Sequence, residues 1–114
     1  MSKAVQVTTA TFEDQVILSE QPVIVDFYAD WCGPCKMLSP VLEQLAVEHT
    51  EVKIAKVNVD DEPALAERYR VRGIPHVVMF RNGKLTEQVV GYKPKAALEA
   101  DLGLNGAAKP VTPA

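Results

Sequence analysis

Two cysteines separated by two residues are the part of this 114-residue sequence best suited to chemistry. Cys32 and Cys35 are the only cysteines in the chain, and they enclose a Gly-Pro dipeptide. Such a pair can cycle between two thiols and a disulfide, or it can supply half of a structural zinc site. Structural zinc usually needs four Cys or His ligands, and the remaining candidates are His49 and His76. Redox chemistry is therefore the favoured interpretation, with a zinc half-site and two incidental thiols as the alternatives.

A bridge between these cysteines would be a weak structural crosslink. It closes a loop of about four residues, for which chain entropy gives roughly 2 kcal/mol, against ~3 kcal/mol for fifteen residues. A secreted mini-domain framed by disulfides would also need several spaced pairs. The pair is thus better explained by chemistry than by stability.

The elements on either side of the pair predict where it lies in the fold. Pro22 precedes a nearly continuous apolar run over residues 23–29, which is typical of a central strand buried on both faces. Pro40 lies in the next element and is expected to bend it. That element is predicted as a helix because its apolar residues recur with helical period at Met37, Leu38, Val41, Leu42, Leu45 and Ala46. The cysteines then fall where a strand ends and a helix begins, a place where α/β sheets gather reactive sites.

A helix amino terminus favours a negative charge on the first cysteine. Unpaired backbone N–H groups and the positive end of the helix dipole would lower the pKa of the Cys32 thiol below the free value of ~8.5. Cys35 follows one helical turn later, so both sulfurs should point to the same side. We expect Cys32 to be the exposed nucleophile and Cys35 the shielded resolving thiol. Gly33 allows a close turn, and Pro34 fits the first helical turn.

The remaining elements predict one α/β sandwich with a mixed sheet, in the order βαβαβαββα. The further strands are predicted at residues 5–7, 52–59, 76–80 and 85–90, and the further helices near Thr11–Val16, Pro63–Tyr69 and Pro94–Leu102. Asn82-Gly83 is a strong hairpin signal, so the last two strands should be antiparallel. The first three strands can be parallel through helical crossovers.

Composition and charge exclude several classes of protein. The chain is 47% hydrophobic and 24% charged, which rules out a disordered or fibrous protein. A formal charge of −3 offers no electrostatic footprint for nucleic acid or an anionic membrane. The start lacks the apolar run of a signal peptide, and no window approaches the ~18 apolar residues of a membrane span. We expect a cytoplasmic protein with one domain over residues 1–103 and a flexible tail over residues 104–114.

Asp26 interrupts the central apolar strand. An isolated carboxylate is almost never fully buried without a purpose, and burial would raise its pKa and make it a proton acceptor near neutrality. The alternative is a structural pairing with Lys56, which would limit the upward shift of the pKa. The two interpretations are compatible.

The sequence resembles the thioredoxin family over about residues 3–102. The matching segments are VDFYADWCGPCK at 25–36, AKVNVD at 55–60, RGIP at 72–75, FRNGK at 80–84 and VG at 90–91. The resemblance implies a three-layer α/β/α sandwich around a central mixed five-stranded sheet. It also implies a protein-disulfide reductase that works by dithiol–disulfide exchange.

The resemblance assigns two sets of site residues. In the first set Asp26 lies beneath Cys35 and helps to deprotonate it; this catalytic set is Cys32, Cys35, Asp26 and Lys56. The Ile74–Pro75 bond is implied to be cis and to face the cysteines, with the backbone of Ile74 offered to an extended substrate. The second set, named the docking surface below, comprises Trp31, Gly33, Pro34, Ile74, Pro75 and Gly91.

Partners also follow from the resemblance. A flavin-containing, NADPH-dependent thioredoxin reductase would restore the dithiol, and the chain itself would be a monomer without cofactor or metal. The implied clients include ribonucleotide reductase, peroxiredoxins and methionine sulfoxide reductases. Two other classes stay open, namely a more oxidising oxidase or isomerase, and an interaction module whose cysteines are dispensable.

Two positions depart from the family pattern. His76 stands where the family usually has threonine. It is either a packed, hydrogen-bonded strand residue, or it tunes Asp26 or joins the cysteines as a third metal ligand. Tyr92 replaces a usually small residue and would reshape one side of the docking surface. Tyr28, where tryptophan is common, is a conservative change.

Overall fold

The secondary structure follows the predicted order in the computed structural model, which describes residues 3–104. The strands are β1 (Val5–Gln6), β2 (Val23–Tyr28), β3 (Lys53–Asn58), β4 (His76–Arg81) and β5 (Lys84–Val90). The helices are α1 (Gly33–Glu48), α2 (Pro63–Arg68) and α3 (Lys95–Asp101). Within residues 3–104, no helix has the length and apolar character needed to cross a membrane.

The five strands form one mixed sheet in the order β1-β3-β2-β4-β5. β3 is parallel to both β1 and β2, whereas β4 is antiparallel to both β2 and β5. The strand β2 is therefore hydrogen-bonded on both sides, as its continuous apolar run predicts. The predicted α/β fold with a mixed five-stranded sheet is confirmed.

The first predicted helix is a single π-helical turn, Glu13–Ile17. The Leu18 N–H donates to the carbonyl of Glu13, five residues earlier, at 2.9 Å. Phe12 and Val16 are both buried, as their i, i+4 spacing predicts. Just before this turn, the Thr11 hydroxyl accepts the N–H of Thr8 at 2.9 Å.

Side chains alternate along β2 and supply a core on each face of the sheet. Ile24 belongs to one cluster, which contains Leu38 and Leu42 of α1 together with Leu98 of α3. Val25 and Phe27 belong to the opposite cluster, with Phe12 from the π-helical turn and Leu65 from α2. Helical segments therefore cover both faces, which is the arrangement of the expected three layers.

The helix α1 continues through Pro40, and its buried face is narrower than predicted. The buried residues of α1 are Cys35, Leu38, Leu42, Leu45 and Ala46. Met37 was a member of the predicted apolar stripe, yet its side chain is 59% exposed. Successive helical residues are rotated by about 100°, so a face centred on Leu38 and Leu42 leaves Met37 toward solvent.

Leu104, the first residue of the predicted tail, is packed against the core. It is 8% exposed, and its N–H donates to the carbonyl of Glu99 at 2.8 Å. The rest of the predicted tail, residues 105–114, lies outside the described residues.

Adjacent residues of α1 should respond very differently to truncation. Leu38→Ala is expected to lower the free energy of unfolding by about 3 kcal/mol, because it leaves a cavity in a fully buried site. Met37→Ala is the matched control and should change stability by less than about 0.5 kcal/mol. Urea unfolding monitored by circular dichroism measures both. Similar losses for the two variants would contradict the assigned buried face.

Candidate active site

Cys32 and Cys35 form a disulfide at the junction between β2 and α1. Cys32 is the N-cap of α1, with an extended backbone, and its Sγ accepts the N–H of Cys35 at 3.1 Å. The sulfur thus satisfies one of the N–H groups that the helix itself leaves unpaired. When the bridge is reduced, the same N–H and the helix dipole favour a thiolate on Cys32.

Both cysteines are nearly enclosed in the disulfide form. Cys32 is 4% exposed and Cys35 is 5% exposed, so the predicted contrast between an exposed and a shielded cysteine is wrong for this state. The enclosure arises because Ala29, Tyr28, Val59 and Ile74 pack around the pair. The Sγ atom of Cys32 lies 3.8 Å from the carbonyl oxygen of Ile74. The two sulfurs therefore differ in what they face rather than in exposure.

A cavity of about 150 Å³ opens onto Cys35 beneath the first turns of α1. Ser39 lies four residues after Cys35, on the same side of the helix, and Lys56 enters from β3. The other lining residues are Tyr28, Ala29, Asp30 and Lys36. The cavity therefore places Ser39 and Lys56 in the same partly open space as Cys35.

Asp26 lies in the middle of β2 and is 1% exposed. Its Oδ1 atom has no hydrogen-bond partner among residues 3–104. Burial raises the pKa of Asp26 to about 7, and the positive charge of Lys56 opposes part of that rise. A carboxyl group with this pKa can take up and release a proton at neutral pH.

Lys56 is the register partner of Asp26 on the neighbouring strand β3. Its Nζ lies 4.5 Å from the centre of the Tyr28 ring, a cation–π contact. No ion pair with Asp26 shorter than 4.0 Å exists among the described residues, so the expected structural pairing is electrostatic rather than a direct salt bridge. The charge of Lys56 therefore lowers the pKa of Asp26 without a direct salt bridge between the two side chains.

The residues of the docking surface differ in exposure, since Pro75 is buried and Ile74 and Gly91 are half-buried. The Ile74–Pro75 bond is cis, as the resemblance implied. The Pro75 carbonyl accepts the N–H of Gly91 at 2.7 Å, which brings the residue after β5 to the site. Gly91 has φ +96°, and a Cβ there would meet nothing within 4 Å, so the surface stays open for a backbone to approach. Gly33 and Pro34 are exposed, and Trp31 is 69% exposed.

Asp60 is a site residue that the sequence patterns did not single out. Its Oδ2 accepts the indole N–H of Trp31 at 2.9 Å. The Asp60 N–H in turn donates to the side-chain oxygen of buried Asn58 at 2.9 Å, which fixes the turn after β3. The sequence could have indicated this contact, because Trp31 follows β2 and Asp60 follows β3. The carboxyl ends of neighbouring parallel strands meet at one edge of a sheet.

The two departures from the family pattern occupy different environments. His76 is 5% exposed, and its Nε2 is 2.9 Å from the Oε1 of Gln88. Its ring lies 6.1 Å from that of Phe27, on the sheet face opposite Ile24 and Asp26. This geometry fits the packed, hydrogen-bonded alternative. Tyr92 is 41% exposed and follows Gly91.

Comparison with known proteins gives one consistent result. The sequence model of the thioredoxin family matches residues 3–103. Thioredoxin from Porphyra purpurea is 45% identical over 98 residues, covering 85% of this chain and 92% of its own length. Thioredoxin 1 from Nostoc sp. is 44% identical over 103 residues, covering 90% and 96%. Thioredoxin from Mycobacterium bovis is 45% identical over 102 residues, covering 89% and 88%.

Asp26→Asn is expected to stabilise the disulfide form increasingly as pH rises from about 4 to about 7. In this window the unfolded chain has lost the Asp26 proton while the folded protein still holds it, so wild-type stability falls. At 1.36 kcal/mol per pKa unit, the advantage of the variant reaches about 4 kcal/mol above pH 7.

Urea unfolding across pH 4–8 measures this difference. Asp61→Asn is the matched control, because Asp61 is exposed and should show no such pH-dependent gain. A constant difference between wild type and Asp26→Asn at all pH values would show that folding does not raise the pKa of Asp26.

Proposed function

This chain belongs to the thioredoxin family and is a protein-disulfide reductase, and we propose that Cys32 and Cys35 divide the two steps of its reaction. The Cys32 thiolate attacks one sulfur of a substrate disulfide, forming a mixed disulfide and releasing the other substrate sulfur as a thiolate. The Cys35 thiolate then attacks Cys32 Sγ and releases the second substrate sulfur. Two electrons thereby pass to the substrate, and the protein retains the Cys32–Cys35 disulfide.

The position of Cys32 as the N-cap of α1 is the observation that carries this assignment. The Cys35 N–H at 3.1 Å is a donor already aimed at the Cys32 sulfur, so a negative charge there is stabilised before any substrate arrives. Cys35 lies inside the first turn and faces the cavity, where its sulfur is reached from within the protein. Cys32 is therefore the attacking thiol and Cys35 the resolving one.

Asp26 and Lys56 control the loss of the Cys35 proton in the second step. Asp26, with a pKa of about 7, accepts the proton of Cys35 as the mixed disulfide forms. Lys56 keeps the pKa of Asp26 from rising further, so that the carboxyl group is partly ionised at neutral pH. These roles follow from burial and charge at the two positions.

The docking surface binds an extended segment of the substrate. The Ile74 carbonyl lies 3.8 Å from Cys32 Sγ, so a substrate strand paired with Ile74 would place its disulfide against the nucleophile. Trp31 and Pro34 offer apolar contacts on one side, and Gly91 leaves the other side open. Backbone pairing beside an open, shallow surface suits many different protein substrates.

A separate reductase must return the two electrons after each cycle. We propose that this partner is a flavin-containing, NADPH-dependent thioredoxin reductase, and that the protein acts as a monomer in the cytoplasm. The proposed clients are ribonucleotide reductase, peroxiredoxins and methionine sulfoxide reductases. Family membership supports these assignments.

Substitution of each cysteine separates the two steps. Cys32→Ser should abolish the acceleration of insulin reduction by dithiothreitol, because no nucleophile remains. Cys35→Ser should retain the first step and accumulate a mixed disulfide with insulin, visible by non-reducing electrophoresis and mass spectrometry. Trapping by Cys32→Ser instead would reverse the assigned roles.

Asp26→Asn should slow the resolving step most strongly near pH 7. Loss of the proton acceptor is expected to reduce the rate by up to about 100-fold at pH 7, with the two proteins converging toward pH 9 as Cys35 deprotonates unaided. Stopped-flow tryptophan fluorescence of the reaction with a disulfide peptide measures the rate. Equal rates across pH 6–9 would remove Asp26 from the mechanism.

A further inference from the structure

Arg70 holds a backbone conformation that glycine usually supplies. Its φ is +56°, in the left-handed region, immediately after α2. The Val71 N–H donates to the Ala66 carbonyl at 2.8 Å and the Arg70 N–H to the Glu67 carbonyl at 3.1 Å, the paired bonds of a Schellman helix end. Glycine is favoured at this position because a Cβ destabilises the left-handed conformation. Arg70 thus holds a conformation that costs stability for a residue with a side chain.

The residues on either side of Arg70 anchor the segment to the core. Tyr69 packs its ring 5.5 Å from those of both Phe12 and Phe80. Val71 also packs against the same core cluster. Because Tyr69 and Val71 point inward, Arg70 and Arg72 point outward, and both are exposed. The two guanidinium groups are thus carried on a fixed backbone.

Arg70 and Arg72 line a surface groove of about 360 Å³ with Ala66, Glu67 and Val71, named the arginine groove here. Among residues 3–104, neither arginine has an ion-pair partner. Residues 67–72 carry three arginines and one glutamate, in a chain whose net charge is −3. Each guanidinium offers five N–H donors in a planar fork that matches a carboxylate.

A short stretch of chain joins the arginine groove to the docking surface. Arg72 is two residues before Ile74, so their Cα atoms are at most about 7 Å apart. The Ile74 carbonyl in turn lies 3.8 Å from Cys32 Sγ. A substrate segment lying along Ile74 therefore has its flanking residues within reach of the two free guanidinium groups. The opposite rim differs in charge, since it carries Asp30 and Asp60.

We propose that the arginine groove binds an acidic segment beside the disulfide of a protein substrate, so that Arg70 selects among substrates of the reductase activity. This inference rests on the proposed function, because it concerns the same substrates. Charge complementarity supports an acidic occupant, and the short link to Ile74 supports one carried by the segment that brings the disulfide.

Two peptides with the same disulfide test the proposal, one flanked by Asp and Glu and the other by Asn and Gln. For Arg70→Gly, the ratio of kcat/KM for the acidic over the neutral peptide should fall about 3- to 5-fold at low salt. The wild-type preference should also shrink toward 1 M salt, where the Debye length is about 3 Å. Lys84→Gln, which removes an exposed charge at the far end of β4 and β5, is the matched control and should leave the ratio unchanged.

A stability measurement shows whether a changed preference in Arg70→Gly comes from lost charge or from unfolding. Arg70→Gly relieves the left-handed conformation, so its urea midpoint should rise while its preference for the acidic peptide falls. Arg70→Lys should keep most of the preference because it keeps the charge. An unchanged ratio in Arg70→Gly would overturn the assignment of the arginine groove.

The affinity of an acidic peptide whose cysteines are replaced by serine separates this inference from the proposed function. Wild type should bind that peptide more tightly than Arg70→Gly does, whether or not the disulfide peptides are reduced. Equal affinity would overturn the arginine groove alone. Failure of the wild type to reduce either disulfide peptide would instead overturn the proposed function.

Discussion

The amino end of α1 has backbone N–H groups that no carbonyl of the helix can pair, and the reactive sulfur occupies that place. Cys32 accepts the N–H of Cys35, so the same hydrogen bond that begins the helix also stabilises charge on the nucleophile. The rest of the fold holds this junction in position. β2 leads directly into the helix, and the segment before β4 places Ile74 beside Cys32. The π-helical turn and α2 cover the opposite face of the sheet.

A second constraint is the carboxyl group of Asp26 inside the core. Its burial opposes ionisation, while the charge of Lys56 favours it, and the balance sets a pKa of about 7. The burial of Asp26 thus weakens the folded state at neutral pH, where the unfolded chain would have lost the proton. An apolar residue at this position would pack without this penalty, but it would remove the proton acceptor that we propose for Cys35.

The order of elements, the mixed sheet and the position of the cysteines were predictable, because apolar periodicity and turn signals all indicate the same fold. What sequence reasoning missed depends on contacts between distant segments. The pair appeared to contain one exposed cysteine, but Ile74, forty-two residues after Cys32, covers its sulfur. Asp60 has no motif of its own, and only the pairing of β2 with β3 brings it beside Trp31.

Local sequence patterns also failed to predict which residues are buried where tertiary packing alone decides it. Helical period placed Met37 in the apolar stripe, yet the exact rotation of α1 over the sheet turns it outward. The Gly, Ala and Pro-rich composition placed residue 104 in a tail, yet Leu104 packs in the hydrophobic core. At Arg70 the sequence contains no signal at all, because nothing around it indicates a left-handed backbone after α2.

The central place of β2 in the sheet has a consequence for how protons reach the interior. Asp26 is the register partner of Lys56 on one side and of Val77 on the other. Local fraying therefore cannot expose it to water without breaking the hydrogen bonds of β2 to both neighbouring strands. Amide hydrogens in such a strand exchange only in the rarest, near-global openings of a protein. A proton that Asp26 exchanges more often than the sheet opens must therefore reach it while both strand pairings are intact. The interior can therefore titrate within a rigid protein.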